Sequence, residues 1–292
     1  MACSHTYCQA PICTPSRASL LSGVYPCAIG VNGNGYEFFP KSQEEKLLTH
    51  RLAVAGYDCG LVGKLHLASA ASGVENRVED GYRFFQYSHD HKGPRVYGHD
   101  YGEWVLAQGG DADALMSPYE TRTYREGAKF KTFGGFLEPT ETEDNIPPQF
   151  HQTHWCSEQS IEFIDKNRRQ GQPWLLSVNP FDPHPPYDAP WEYYRRYDPE
   201  QLPGAHFVES DLDQQRKLMD VGIDFQSQPK EPSLWEDKKI QASYYAMIEQ
   251  VDYEFGRILD HLEKTGQREN TIVVFMSDHG EMLGDHLSLI HI

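Results

Sequence analysis

Three short apolar runs, at residues 59–62 (CGLV), 173–178 (PWLLSV) and 271–276 (TIVVFM), each stop against residues that carry chemistry. The first leads into Gly63-Lys64-Leu65-His66, the second into Asn179-Pro180-Phe181-Asp182-Pro183-His184-Pro185, and the third into Ser277-Asp278-His279-Gly280-Glu281. Runs this short, without polar alternation, read as strands buried on both faces, the mark of a parallel sheet. Helical stretches lie between them. In 44–55, Leu48, Leu52 and Ala55 share a face and Gly56 supplies the stop. Another helix is predicted over 154–168. In 241–264, Ala242, Tyr245, Ile248, Phe255, Ile258 and Leu262 recur at three- and four-residue steps before Gly266. This alternation predicts an α/β fold, a mainly parallel sheet flanked by helices. Ligands of open α/β sheets bind outside the carboxyl ends of the strands, so Lys64, His66, His184, Asp278 and His279 are expected on one rim. No internal repeat or linker argues for a second complete domain.

At 292 residues and 39% hydrophobic, the chain can bury a sizeable core. No apolar run approaches the about 18 residues of a membrane span. The net charge of −17 excludes a broad surface for nucleic acid or another polyanion. An anionic substrate would have to be met by a local basic pocket. Six cysteines form neither CxxC pairs nor a dense disulfide framework, which leaves the redox compartment open. Periodicity fades from 81 to 150. There His89, His91 and His99 lack a Cys or carboxylate at ligand spacing on a regular element, and a solvated loop is expected. Residues 195–235, polar and Pro-punctuated, read as a surface excursion.

The remaining feature is Cys13-Thr14-Pro15-Ser16-Arg17-Ala18-Ser19-Leu20-Leu21-Ser22-Gly23. Pro15 suits the first turn of a helix, which puts Cys13 at the helix start, where free N–H groups favour negative charge. Arg17 lies one turn on and can lean back toward Cys13. A buried structural cysteine is the bland alternative, since free Cys is commonly buried. The three strand-end clusters weigh against it.

Together these stretches resemble the type I sulfatases of the alkaline-phosphatase-like superfamily, whose signature C-x-P-S-R is followed later by G-K-x-H, a P-H-x-P-like loop and a D-N/D-H pair. The resemblance implies an arylsulfatase-like sulfuric ester hydrolase in which Cys13 is oxidised to formylglycine. One hydroxyl of its hydrate attacks sulfur to give a sulfated enzyme intermediate, and the other expels sulfate. It further implies that Lys64 holds a sulfate oxygen and His66 acts as base, with His184 as sulfate ligand or proton donor. Arg17 steadies the metal-bound hydroxyl. Asp278 and His279, with residue 13, bind the metal, Asp278 being the firmer assignment because the family often has Asn at the position of His279. Oxygen ligands favour Ca²⁺ over Mg²⁺. Glu281, Asp285 and His286 are expected to play supporting parts. The implied partners are a sulfated small molecule or glycan and a formylglycine-generating maturation enzyme. The alternatives are a phosphonate monoester or phosphodiester hydrolase of the same superfamily, or an inactive relative or fragment. A thiol phosphatase is disfavoured because three residues, not five, separate Cys13 from Arg17.

The pattern breaks at both ends. The family's paired aspartates have no counterpart before Cys13, the lysine expected after Gly284-Asp285-His286 is absent, and 287–292 reads as a foreign tail. Residues 1–292 are therefore expected to be a partial catalytic domain that binds metal poorly and turns over little alone. Its sheet is expected to have an unpaired interior edge and a tendency to aggregate. The compartment stays open, with periplasmic and secreted locations both compatible.

Overall fold

Every residue of β1 (Asp58–Gly63) is buried; after Asp58, whose carboxylate is paired with Arg83, its sequence is small and apolar throughout. The computed structural model describes residues 2–70, 73–89, 99–115, 136, 138–142, 146–220 and 237–287. Among these, β1 is the middle of a three-stranded parallel sheet, between β2 (Phe84–Tyr87) and β3 (Trp174–Asn179). The register sets Cys59 opposite Leu175 and Gly63 opposite Asn179, so β1 and β3 end level with each other.

The two-residue period of the strand sends successive side chains to opposite faces. Cys59 and Leu61 join Ala18 of α1 (Cys13–Ser22), Ile29 of α2 (Pro26–Ile29) and Leu47 in one core. Leu52 and Ala53 of α3 (Leu48–Val54) pack against the edge of that core. Val62 joins Tyr101 and Val105 of α4 (Asp100–Ala107), Ala112 of α5 (Ala112–Leu115) and Trp155 of α6 (Gln152–Gln170) in another. Helices thus cover both faces, as expected. A Cβ on Gly60 would sit 2.7 Å from the Phe163 ring of α6, so the helix approaches the strand closely there.

Behind α6 runs α9 (Asp237–Lys264), whose Ile258 and Leu262 meet Ile164. The two helices are also joined by a buried carboxylate. Glu254 accepts from His154 Nδ1 at 2.8 Å, from Arg257 Nη1 at 2.7 Å and from the Ser157 hydroxyl. Burial would raise Glu254, but these three partners outweigh it and hold the carboxyl below its usual range. The short α7 (Trp191–Tyr194) packs on α9, and α8 (Glu209–Asp220) lies beyond it in the chain. No helix of the described residues is long and apolar enough to cross a membrane.

Three expectations need correction. The helix predicted over 44–55 is broken: a 3₁₀ turn (Lys41–Lys46) stops at Leu47, which is extended (φ −60°, ψ 126°), and α3 follows. The extended residue plugs the core with Leu47 and turns Leu48 out to solvent, shifting the apolar face by one position. Residues 271–276, expected as a buried strand, have no ladder among the described residues. Ile272 is 93% and Val274 72% exposed, while Val273 alone of the three packs inward, against the Ile164 and Ile258 cluster. A strand needs a hydrogen-bonded neighbour, and an apolar run cannot supply one by itself. Third, His99 is buried, and its Nε2 accepts from the His89 N–H at 3.1 Å, so this stretch is not a solvated loop at its described ends. His91, residues 221–235 of the surface excursion and residues 288–292 of the tail lie outside the described residues.

Candidate active site

Ile12 is extended, Cys13 is the first helical residue of α1, and the Ser16 N–H bonds back to the Ile12 carbonyl at 3.0 Å. Pro15 falls in the first turn, where its missing N–H leaves nothing unsatisfied. The free Thr14 N–H is taken by Asn34 Oδ1 at 3.0 Å. Cys13 is 3% exposed, with His279 Nε2 at 3.1 Å and Lys64 Nζ at 3.7 Å from its Sγ. Burial pushes the thiol up. The Lys64 charge and hydrogen bonds from His184, His279 and His66 outweigh it and hold Cys13 far below the ordinary thiol range.

Lys64 and His66 stand on the turn that leaves β1. Gly63 has φ +105°, and a Cβ there would lie 1.9 Å from the Asn179 carbonyl oxygen, so the position admits no side chain. The Lys64 N–H donates to that oxygen at 2.9 Å. In return Asn179 Nδ2 and Arg17 Nη1 donate to the Lys64 carbonyl at 2.9 and 2.8 Å. Lys64 is 2% exposed, and its Nζ sits 5.1 Å from the centre of the Phe181 ring. Burial lowers its proton affinity and the Cys13 charge opposes that. His66 adopts φ +55°, a left-handed conformation that costs a non-glycine residue about 1–2 kcal/mol. Burial pushes it down to about 3, against its bond to Cys13. His184 is lowered by burial and by Lys64; its Nδ1 lies 2.5 Å from the Pro185 carbonyl, which can only accept, so Nδ1 carries the proton.

The third wall comes from the ladderless segment. Arg17 does not lean toward Cys13 as the spacing suggested. Its Nε donates to Asp278 Oδ2 at 2.7 Å, and the Ser16 hydroxyl donates to the Asp278 carbonyl at 2.5 Å. Burial raises Asp278, but Arg17 and His279 outweigh it and leave the carboxyl below its usual range. Burial lowers His279, but its bond to Cys13 and the charges of Cys13 and Asp278 raise it overall to about 8. Residues more than two hundred positions apart thus meet on Cys13 Sγ.

The Sulfatase family model matches residues 1–291. The chain belongs to the sulfatase family. It is 28% identical over 290 residues to an arylsulfatase of Clostridium perfringens, covering 97% of this chain and 56% of that protein. It is also 28% identical over 295 residues to the multifunctional alkaline phosphatase superfamily protein PehA of Trinickia caryophylli, covering 94% and 54%. Among solved structures, a phosphonate monoester hydrolase from Silicibacter pomeroyi superposes with a TM-score of 0.66 at 21% identity, covering 97% of this chain and 56% of that one, a likeness of fold. The chain spans about half the length of the curated relatives it matches.

Sulfatases generally use a metal ion, and this sulfatase chain has two groups among its described residues that could hold one. Ligand atoms of Cys13, Asp278 and His279 lie within 4.8 Å of one another, as do those of the fully buried His151, Asp182 and Asp188. The first group fits a divalent cation. As it stands, Asp278 is its one hard oxygen donor. Glu281, pushed up to about 7 by burial, lies close enough to Cys13 and His279 to feel both charges. Asp285 and His286 instead tie down the start of α8 and the residues before it, through the His206 N–H at 2.6 Å and Asp211 at 3.1 Å.

Several residues of the candidate site are not marked in the sequence. His89 stands edge-on to His66 with ring centres 4.7 Å apart, and Phe181 lies under Lys64 and His184. Asn179 and Glu75 hold the turn that carries Lys64 and His66. Asn179 was legible as the residue at the end of β3. Glu75 and His89 carry no local spacing signal at all.

Proposed function

We propose that this chain carries the catalytic constellation of a sulfuric ester hydrolase in which Cys13 is matured to formylglycine. The observation that supports this best is the convergence of Lys64, His66, His184 and His279 on one buried side chain at a helix start. Cys13 Sγ then marks where the oxygens of the formylglycine hydrate would lie. That hydrate supplies two hydroxyls on one carbon, one to attack sulfur and one to release sulfate.

The chain's own residues do the rest. Lys64 Nζ, buried and close to position 13, binds the sulfo oxygens in a low dielectric, where a fixed cation acts far more strongly than in water. His66, neutral at neutral pH, accepts the proton of a hydroxyl at position 13. His184 keeps its Nδ1 proton on the Pro185 carbonyl, leaving Nε2 for the leaving oxygen. The negative charge of the substrate raises its proton affinity, so that it can arrive charged and deliver a proton. Arg17 fixes Asp278 and the Lys64 carbonyl together, which sets the metal side of the site against the sulfate side. Asp278 and His279 would hold a divalent cation, which would supply positive charge beside position 13. Maturation would replace the sulfur donor by oxygen, which suits a hard cation; the family resemblance puts Ca²⁺ ahead of Mg²⁺. The substrate class is a sulfated sugar, and a formylglycine-generating enzyme is the maturation partner.

A second reading, phosphonate monoester or phosphodiester hydrolysis, belongs to the same superfamily, in which a relative 28% identical to this chain is described as multifunctional. Such esters present the same single negative charge on a tetrahedral centre. The experiment is to produce the intact gene product with a maturation enzyme, weigh the peptide bearing residue 13, and compare rates on aryl sulfate, aryl phosphonate and sulfated sugars. An aldehyde at position 13 with sulfate esters preferred is the expected result. A plain thiol with undiminished turnover would overturn the formylglycine reading, and a preference for phosphonate would replace the sulfatase reading with the second one.

A further inference from the structure

The turn from Lys64 to Ala68 places two site residues, yet it is neither helix nor strand. One side of it is held through the Lys64 carbonyl, which accepts from Arg17 and Asn179. The other side exposes consecutive backbone N–H groups. The left-handed His66 bends the chain so that these donors point the same way, the geometry of an anion-binding nest. In this chain the nest is filled from within. Glu75 is 4% exposed; its Oε2 accepts from the His66 N–H at 2.5 Å and its Oε1 from the Leu67 N–H at 3.0 Å, with the Ala68 N–H adding a third bond.

We infer that Glu75 is a positioning residue for the reaction: its carboxylate fills the nest formed by residues 66–68 and holds the His66 ring and Lys64 Nζ at their working distance from residue 13. A buried carboxylate is costly unless fully hydrogen-bonded, so its retention there needs a return, and the bonds it makes all go to this turn. Filling the nest internally has a second effect. It removes the nearest competing anion site, so an incoming sulfo group is left to Lys64. Arg17 extends the device: burial pushes Glu75 up to about 7, the three backbone bonds oppose that, and the guanidinium, which also donates to the Lys64 carbonyl, lies close enough to oppose it too. A single chain of contacts thus runs from Glu75 through the turn and Arg17 to Asp278.

The inference rests on the hydrolytic reading of the site, and its test separates the two. In the intact, matured gene product, Glu75→Gln places an amide N–H against donors, whereas Glu75→Asp keeps the charge with a shorter reach. With Glu75→Gln, amide hydrogen exchange at 66–68 should speed up at least 10-fold and the His66 ring resonances should move. The melting temperature should stay within about 3 °C. Turnover of the preferred ester should fall by about 10²-fold in kcat, the loss expected for an ångström of misplacement, with KM within about 3-fold. Glu75→Asp should recover part of both. Unchanged exchange and unchanged kcat in Glu75→Gln would overturn the inference, as would a loss of kcat that tracks a general loss of stability in both variants. If no ester is hydrolysed by the wild type but the exchange and ring signals respond as stated, the positioning role stands and the hydrolytic reading falls.

Discussion

The site is assembled from two regions held in opposite ways. The turn after β1 emerges from the middle of a sheet, is pinned to Asn179 by backbone and side-chain bonds, and passes through a glycine that tolerates no Cβ. The segment 271–279 has no ladder among the described residues, turns Ile272, Val274, Phe275 and Met276 to solvent, and still delivers Asp278 and His279 to Cys13. What fixes its end is side chains from α1: Arg17 on the Asp278 carboxylate and Ser16 on its carbonyl. Regular secondary structure is therefore one way to place a functional group, and a few charge-assisted bonds at the right residue are another.

If both regions serve one reaction, damage to either should cost turnover. His66→Asn and His184→Asn, on the rigid side, should each lower kcat of the intact matured protein by about 10²- to 10⁴-fold, measured by steady-state kinetics on an aryl sulfate. Unaltered kcat would detach that side from the chemistry. Arg17→Met should act on the other side. It releases Asp278 and should weaken Ca²⁺ or Mg²⁺ binding by about 10- to 100-fold, read by calorimetric titration, because residues that orient a ligand carry that much of its affinity. An unchanged affinity would mean that the 278–279 end is held by something other than α1.

The support beneath the loose segment can be weighed separately. α9 underlies it through Phe255, whose ring centre is 5.2 Å from that of Phe275. Glu254→Gln should unbalance Arg257 and His154 and destabilise the fold by about 1–3 kcal/mol in urea denaturation. Its pH dependence has a definite sign. The folded carboxyl titrates below the unfolded one, so its stabilisation is fully present above the usual carboxylate range and is lost as the pH falls through the folded value. The acid limb of the wild-type stability curve should therefore be steeper than that of Glu254→Gln. The smallest effect is expected at the surface. Ile272→Thr and Val274→Thr should change stability by no more than about 0.5 kcal/mol, against about 2–5 kcal/mol for Leu61→Ala in β1. A large loss at 272 or 274 would show that these side chains are buried in solution.

The sequence made β1 and β3 legible as short unbroken apolar runs that stop at motif residues, and α9 through its three- and four-residue period ahead of Gly266. It misled at 271–276, where apolar content was read as burial although pairing is what creates a strand. It misled again at Leu47, where one extended residue shifts the helix face that Leu48 was expected to share. The residue types of the site were readable because Cys13, Lys64, His66, His184, Asp278 and His279 lie in short motifs at element ends. Their supports were not. Glu75 and His89 act through contacts that exist only once the turn at His66 has bent backwards, and no spacing in the chain records that bend.

The burial of Lys64 in so acidic a chain governs how an anion would arrive. With a net charge of −17, the average field of the chain opposes a negatively charged ester, while Lys64, the cation proposed to bind its sulfo oxygens, is buried. Dissolved salt, which screens such repulsion beyond about 8–10 Å, should therefore hasten capture where it usually slows it.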